Sequence, residues 1–185
     1  MSTLKLCKTL WGVPEAADVS RWDDLFARIK SEGFDAIETG PVIWRAAPEK
    51  FASSLKGAGL KLIAQIHTTG CNTLPDGTYV YNSSTKVEDH ISSFDALVKE
   101  ASAFSPVMIN SHSGHDSWSV AQATEYLKAA LRIEEAAGIL VTHETHRRRI
   151  LWNPYNARDI LTQPGMEVGV RPIMAAFSGT PATRM

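Results

Sequence analysis

The sequence predicts an α/β fold, an incomplete (β/α)8 barrel of about five strand–helix units followed by an irregular C-terminal tail. Three observations carry this. Short apolar runs alternate with stretches of helical period as far as residue 162. Each run ends on polar groups, with Glu38, His67, His112 and Glu144 at or near the C-terminal ends of successive strands. No G-x-G-x-x-G or Walker loop opens a helix, which leaves an open nucleotide-binding sheet without support.

The elements follow in order. Leu4–Leu10 reads as the first strand, closed by Trp11-Gly12-Val13-Pro14. Ser20 is the expected N-cap of a helix that buries Trp22, Leu25, Phe26 and Ile29 and stops at Gly33. Phe34–Glu38 is a second strand, broken by Gly40-Pro41. Ala47–Ala58 is a helix with Pro48 in its first turn, and Leu60–His67 the third strand. Thr68–Lys86 reads as a long polar loop of the kind that often serves function. Val87–Phe104 is amphipathic, with Ile91, Phe94, Leu97, Val98 and Ala101 on one face. Pro106–Ser111 is the fourth strand and Ser117–Ala137 a long helix ending at Gly138. Ile139–Glu144 is the fifth strand, so apolar at its start that both faces should be buried, and a helix runs from about Asn153 to Leu161.

Strand parity supports the barrel. Ala36 and Glu38, Gln65 and His67, Asn110 and His112, and Thr142 and Glu144 share one face. On the opposite face Ile37, Ile66, Ile109 and Val141 would meet the helices, with Ser111 and His143 as the polar exceptions. A polar mouth inside an apolar wall predicts that split. A complete barrel needs eight units, typically in about 250 residues, and Gln163–Met185 does not supply three. The expected division is therefore a partial barrel over 1–162 and a tail over 163–185, in which Met166–Val170 or Ile173–Phe177 is a candidate short strand. Two open sheet edges would then invite self-association.

Bulk composition narrows the class. A chain of 185 residues with 44% hydrophobic content is long enough for one domain with a core. A net charge of -1 and the lack of a basic stripe argue against nucleic acid as a partner. Cys7 and Cys71 make no disulfide framework, and neither a signal peptide nor a membrane-length apolar run is present, so the expected address is cytoplasmic. No Gly-x-Ser-x-Gly elbow supports a nucleophilic hydrolase.

The chemistry concentrates where the strands end. Glu144, at the end of a buried strand, must be solvated, paired or metal-bound; Arg147 and Arg149 are candidate partners. His146 shares its parity and suits proton transfer, whereas His143 points away and reads as structural. Arg147 suits a substrate carboxylate or phosphate. Gly114 can turn the chain between His112 and His115. Trp11, Trp44, Trp118 and Trp152 follow strand ends and would rim the mouth.

Three segments, Gly33-Phe34-Asp35-Ala36-Ile37-Glu38, Ile109-Asn110-Ser111-His112-Ser113-Gly114 and Thr142-His143-Glu144-Thr145-His146-Arg147, resemble the xylose isomerase-like TIM-barrel superfamily of sugar isomerases and epimerases. Endonuclease IV-type repair enzymes belong to the same superfamily. The resemblance spans about residues 4 to 162. It implies that Glu144 binds a divalent metal (Mn, Mg, Co or Zn) and acts with His146 in catalysis, while Trp11, Glu38 and Arg147 contact a sugar or sugar phosphate. His67 and His112 stand where the endonuclease branch places additional metal-binding histidines. The family's other ligands, an aspartate, a histidine and a second glutamate, come from strands six to eight. The resemblance therefore implies weak or no activity for these 185 residues by themselves. Similar proteins usually read His-Arg-Gly-Arg where this chain has Arg148 in the glycine's place. Two other functions stay open: a non-catalytic binding module, and phosphodiester cleavage on damaged DNA.

Overall fold

The computed structural model describes residues 5–73, 79–81, 84–166 and 171–173. Six strands form one parallel sheet: β1 (Cys7–Thr9), β2 (Ala36–Thr39), β3 (Lys61–His67), β6 (Met108–His112), β7 (Val141–Glu144) and β8 (Pro172–Ile173). Two further strands, β4 (Cys71–Thr73) and β5 (Tyr79–Tyr81), make a separate antiparallel hairpin. The helices are α1 (Trp22–Ser31), α2 (Pro41–Trp44), α3 (Pro48–Ala58), α4 (Val87–Ser102), α5 (Val120–Ala137) and α6 (Pro154–Leu161).

Order in the sheet follows order in the chain: β1-β2-β3-β6-β7-β8. A doubly wound sheet reverses direction at a switch point, and this one never does. Continuous right-handed winding of parallel strands is the barrel's construction. Here the sheet stays open, with β1 and β8 at its edges among the described residues.

Burial is one-sided at the N-terminal ends of the strands and two-sided toward the C-terminal ends of β3, β6 and β7. Ile37, Ile66, Ile109 and Val141 lie fully buried against the helices, as parity predicts. Trp22, Phe26 and Phe51 meet edge-to-face and stacked beneath α1 and α3, and Phe104 and Trp44 extend the cluster. On the inner face Cys7, Thr9 and Lys61 are exposed, and Ile63 and Met108 are only half-buried. The barrel interior is therefore lined but not filled.

Several expectations need correction. Ser20 does not cap α1: the Asp18 carboxylate accepts from the Ser20 N–H in a separate 3-10 turn, and α1 starts at Trp22. Asp is as good a cap as Ser, and it comes two residues earlier. Gly40-Pro41 ends β2 but also opens α2, because proline suits a first helical turn. The segment after β3 is not wholly loop, since it holds the β4–β5 hairpin; residues 74–78 lie outside the described ones. Within the tail, Ile173 is in β8, which pairs parallel to β7 through His143↔Pro172 and Glu144↔Ile173. Ser119 and Gln122 form a reciprocal capping box on α5, and Asn153 caps α6.

Candidate functional site

The C-terminal ends of β1, β2, β3, β6 and β7 bring their inward side chains together. Asn110, midway across, donates both amide hydrogens to carboxylates: Nδ2 lies 3.0 Å from Glu38 Oε1 and 2.8 Å from Glu144 Oε2. His112 Nε2 is 2.7 Å from the same Glu144 oxygen. Gln65 Nε2 lies 3.3 Å from His112 Nε2, and its Oε1 accepts from Trp11 Nε1–H at 2.5 Å. A hydrogen-bonded chain therefore runs Glu38–Asn110–Glu144–His112 across the mouth, with the Trp11–Gln65 pair beside its His112 end.

Electrostatics separates the two carboxylates. Burial pushes Glu38 above the ordinary carboxylate range, and the neighbouring Glu144 charge adds to this against the hydrogen bond from Asn110. Burial acts on Glu144 in the same sense, but the hydrogen bonds from His112 and Asn110 outweigh it and hold Glu144 low. His112 is itself held below its usual value, chiefly by burial. These directions agree on an anionic Glu144 accepting from a neutral His112 with its proton on Nε2. The remaining His112 nitrogen, Nδ1, is then a buried lone pair without a hydrogen-bond partner among the described residues. His67 goes further, for both of its ring nitrogens are buried and lack hydrogen-bond partners among the described residues. Burial, reinforced by His112, keeps it neutral well below the usual range.

The three mouth histidines pack against one another with tilted rings. The His67 and His112 rings are 4.0 Å apart and the His112 and His146 rings 4.5 Å, with Trp11 6.3 Å from His67. His146 reaches this cluster although β7 ends at Glu144, because a turn closed by His146 N–H to Glu144 O at 2.9 Å carries it back. Arg147 is exposed beside it. Arg149 is buried and donates from Nη1 to the carbonyls of Thr68 and Gly114, both at 3.1 Å. Gly114 is fixed by its surroundings: φ is +64°, and a Cβ there would lie 2.5 Å from Ile150 Cγ2 and 2.7 Å from the Trp118 ring. Arg148 also adopts a left-handed φ of +64°, a conformation that favours glycine and that arginine holds here at a cost.

The structure thus gathers Trp11, Glu38, His67, His112, Glu144 and His146 at one mouth, with Arg147 on its rim. Carboxylate and imidazole donors are the right chemistry for a borderline divalent ion. The expected ligand set of Glu144, His67 and His112 nevertheless lacks the geometry of a metal centre. Among the described residues no three His, Cys, Asp or Glu side chains converge on one ion position. Asn110 and Gln65, the amides that order the carboxylates and the indole, were not singled out as site residues; their shared parity with Glu38 and Glu144 was the available signal.

Comparison with solved structures decides the architecture. The chain is similar to a probable 3-DHS dehydratase, AsbF, of Bacillus anthracis, with TM-score 0.59, 15% identity, and 92% of this chain matched to 62% of that one. It is similar to a sugar phosphate isomerase/epimerase of Parabacteroides distasonis, with TM-score 0.61, 12% identity, and coverage of 93% and 69%. For the 3-keto-D-glucoside 4-epimerase YcjR of E. coli the values are 0.62, 14%, 93% and 68%. The chain is a partial TIM barrel. It spans roughly two thirds of the length of these structures, 62% of the first. No family model matches this partial barrel, and no curated protein matches it in sequence. Among its described residues no helix is long and apolar enough to cross a membrane.

Proposed function

We propose that this partial barrel is the N-terminal portion of a sugar or sugar phosphate isomerase/epimerase, and that its mouth holds a polyhydroxylated substrate for proton transfer at carbon. The supporting observation is the Glu38–Asn110–Glu144 bridge, which sets two carboxylates of opposite tendency on either side of one amide. Environments that push paired carboxylates apart assign a base and an acid. Glu144, anionic, accepts the proton, and Glu38, biased toward its neutral form, supplies one. His146 and Arg147 contact substrate oxygens or phosphate, and the Trp11 indole, tethered to Gln65, offers its face to the sugar.

A divalent metal enters this reading only through the family resemblance, which assigns Glu144 as a ligand. The described donors do not complete a centre, and no step above passes through one. The 185 residues by themselves are expected to bind sugars but turn them over weakly or not at all. That incompleteness also supports the second reading, a non-catalytic module that binds through the same mouth.

The test is ligand-observed NMR with a panel of aldoses, ketoses and their phosphates, in heavy water, with and without Mn²⁺ or Mg²⁺. Binding that is lost in Glu144→Gln is expected, with little deuterium entering carbon. Turnover above about 1 per second would refute the weak-activity part. Failure to bind any member of the panel would end the sugar reading.

A further inference from the structure

The outer side of the β6–β7 junction holds a second polar chain that the mouth does not use. His143 Nε2 lies 3.0 Å from Glu134 Oε1 on α5, and His143 Nδ1 lies 2.6 Å from Ser113 Oγ. Ser113 Oγ is 2.8 Å from Ser111 Oγ. For a neutral His143 imidazole each hydrogen can be assigned once. The Glu134 carboxylate accepts from Nε2–H, which leaves the lone pair on Nδ1. Ser113 therefore donates to Nδ1 and accepts from the Ser111 hydroxyl. Serine, histidine and glutamate so connected have the wiring of a nucleophile triad. With Ser113 2% exposed and His143 fully buried, no acyl group reaches it, and hydrolysis is excluded. Phe94 lies against the His143 ring at 6.1 Å and helps to seal the chain from water.

Its position gives it another task. The backbone pairing of β6 with β7 runs Ile109↔Val141, Asn110↔Thr142 and Ser111↔His143. His112 and Glu144 each stand one residue past that last pair, yet their side chains meet at 2.7 Å. Ser113 and His143 are their immediate chain neighbours. The Tyr126 hydroxyl on α5 also faces Ser113 and Ser111, and the backbone ties near Ser113 lead elsewhere. Its carbonyl accepts from Ile150 N–H at 3.1 Å, and Gly114 N–H donates to Thr68 Oγ1 at 3.0 Å. The Ser113–His143 bond is thus the outer-face link between the two strand ends where the backbone ladder stops.

We propose that His143 is a positioning residue: anchored by Glu134, it holds Ser113 so that His112, on the other face, stays against Glu144 in a single tautomer. This is a statement about the geometry of the mouth, and it stands whether or not the mouth binds a sugar.

The experiment uses the full chain labelled with ¹⁵N-histidine and reads the His112 ring by long-range proton–nitrogen correlation, with circular dichroism to confirm folding. The wild type should show His112 protonated on Nε2 alone. Ser113→Ala should lose that single form and give tautomer exchange. Asparagine presents an oxygen near the Nδ1 position and glutamine a group near Nε2, so His143→Asn should restore the wild-type His112 spectrum and His143→Gln should not. Should Ser113→Ala fail to fold, the comparison of His143→Asn with His143→Gln decides. Folded Ser113→Ala or His143→Gln protein with an unchanged His112 spectrum would overturn the proposal, because a role in stability alone does not move that signal.

Discussion

The two faces of the β6–β7 junction differ in how their polar groups are satisfied. On the outer face Ser111, Ser113, His143 and Glu134 answer one another inside a sealed wall, and only the buried Tyr126 hydroxyl beside Ser111 and Ser113 is short of a well-formed bond among the described residues. On the inner face both nitrogens of His67, Nδ1 of His112 and Oδ1 of Asn110 are buried without a hydrogen-bond partner among the described residues. Native interiors keep few such groups, because each forgoes about 1–3 kcal/mol of solvation. The same residue type is therefore scaffold on one side of the sheet and an unmet demand on the other. The difference agrees with the proposal that the inner face is the binding side.

Substitutions can break that contrast. The largest effect is expected at Gly114, which sits where the faces join. Gly114→Ala combines a left-handed φ with a 2.5 Å clash and should cost about 3 kcal/mol or more in a urea titration. Next comes a matched pair. His143→Phe strands Ser113 and Glu134 and should cost about 2–4 kcal/mol, whereas His67→Phe removes two unsatisfied nitrogens and should stay within about 1 kcal/mol of wild type. Equal losses at the two positions would erase the distinction between the faces.

Acid sharpens the comparison. His90 is buried between Thr68 Oγ1, 2.6 Å from its Nδ1, and the Ser84 carbonyl, 2.8 Å from its Nε2. Burial lowers its pKa to about 4. An unfolded chain binds this proton near pH 6.5, the folded one only near 4, so stability should fall as pH drops through that window. The loss from His90 alone approaches about 3 kcal/mol. His67, depressed in the same direction, adds to it, and His67→Phe should therefore flatten part of the slope. An unchanged slope in that variant would mean that His67 does not stay neutral. The smallest effect is a gain. Arg148→Gly relieves a left-handed arginine and should stabilise the chain by about 1 kcal/mol, seen as a higher midpoint.

Much of this was legible in residue order. The alternation of Gln65 with His67, Asn110 with His112 and Thr142 with Glu144 placed the mouth, because strand parity is strict and needs no knowledge of loops. What failed was local and competitive. Asp18 caps a 3-10 turn ahead of α1, which itself starts with no side-chain cap, and proline opened α2 where it was read only as a break. The hairpin within the loop after β3 and the pairing of Pro172–Ile173 depend on tertiary partners, which short segments do not announce. The outer chain was half visible. Ser111 and His143 stood out as polar residues on an apolar wall, but Glu134 sits on a helix, and no spacing rule connects it to a strand nine residues later.

A sheet whose neighbours in space are also neighbours in sequence has a consequence for how it is made. Each new strand docks on the one just completed, so loop-closure costs stay local and the molecule can be assembled progressively as it leaves the ribosome. Among the described strands, the seam where β8 meets His143 and Glu144 is the last in chain order to be added.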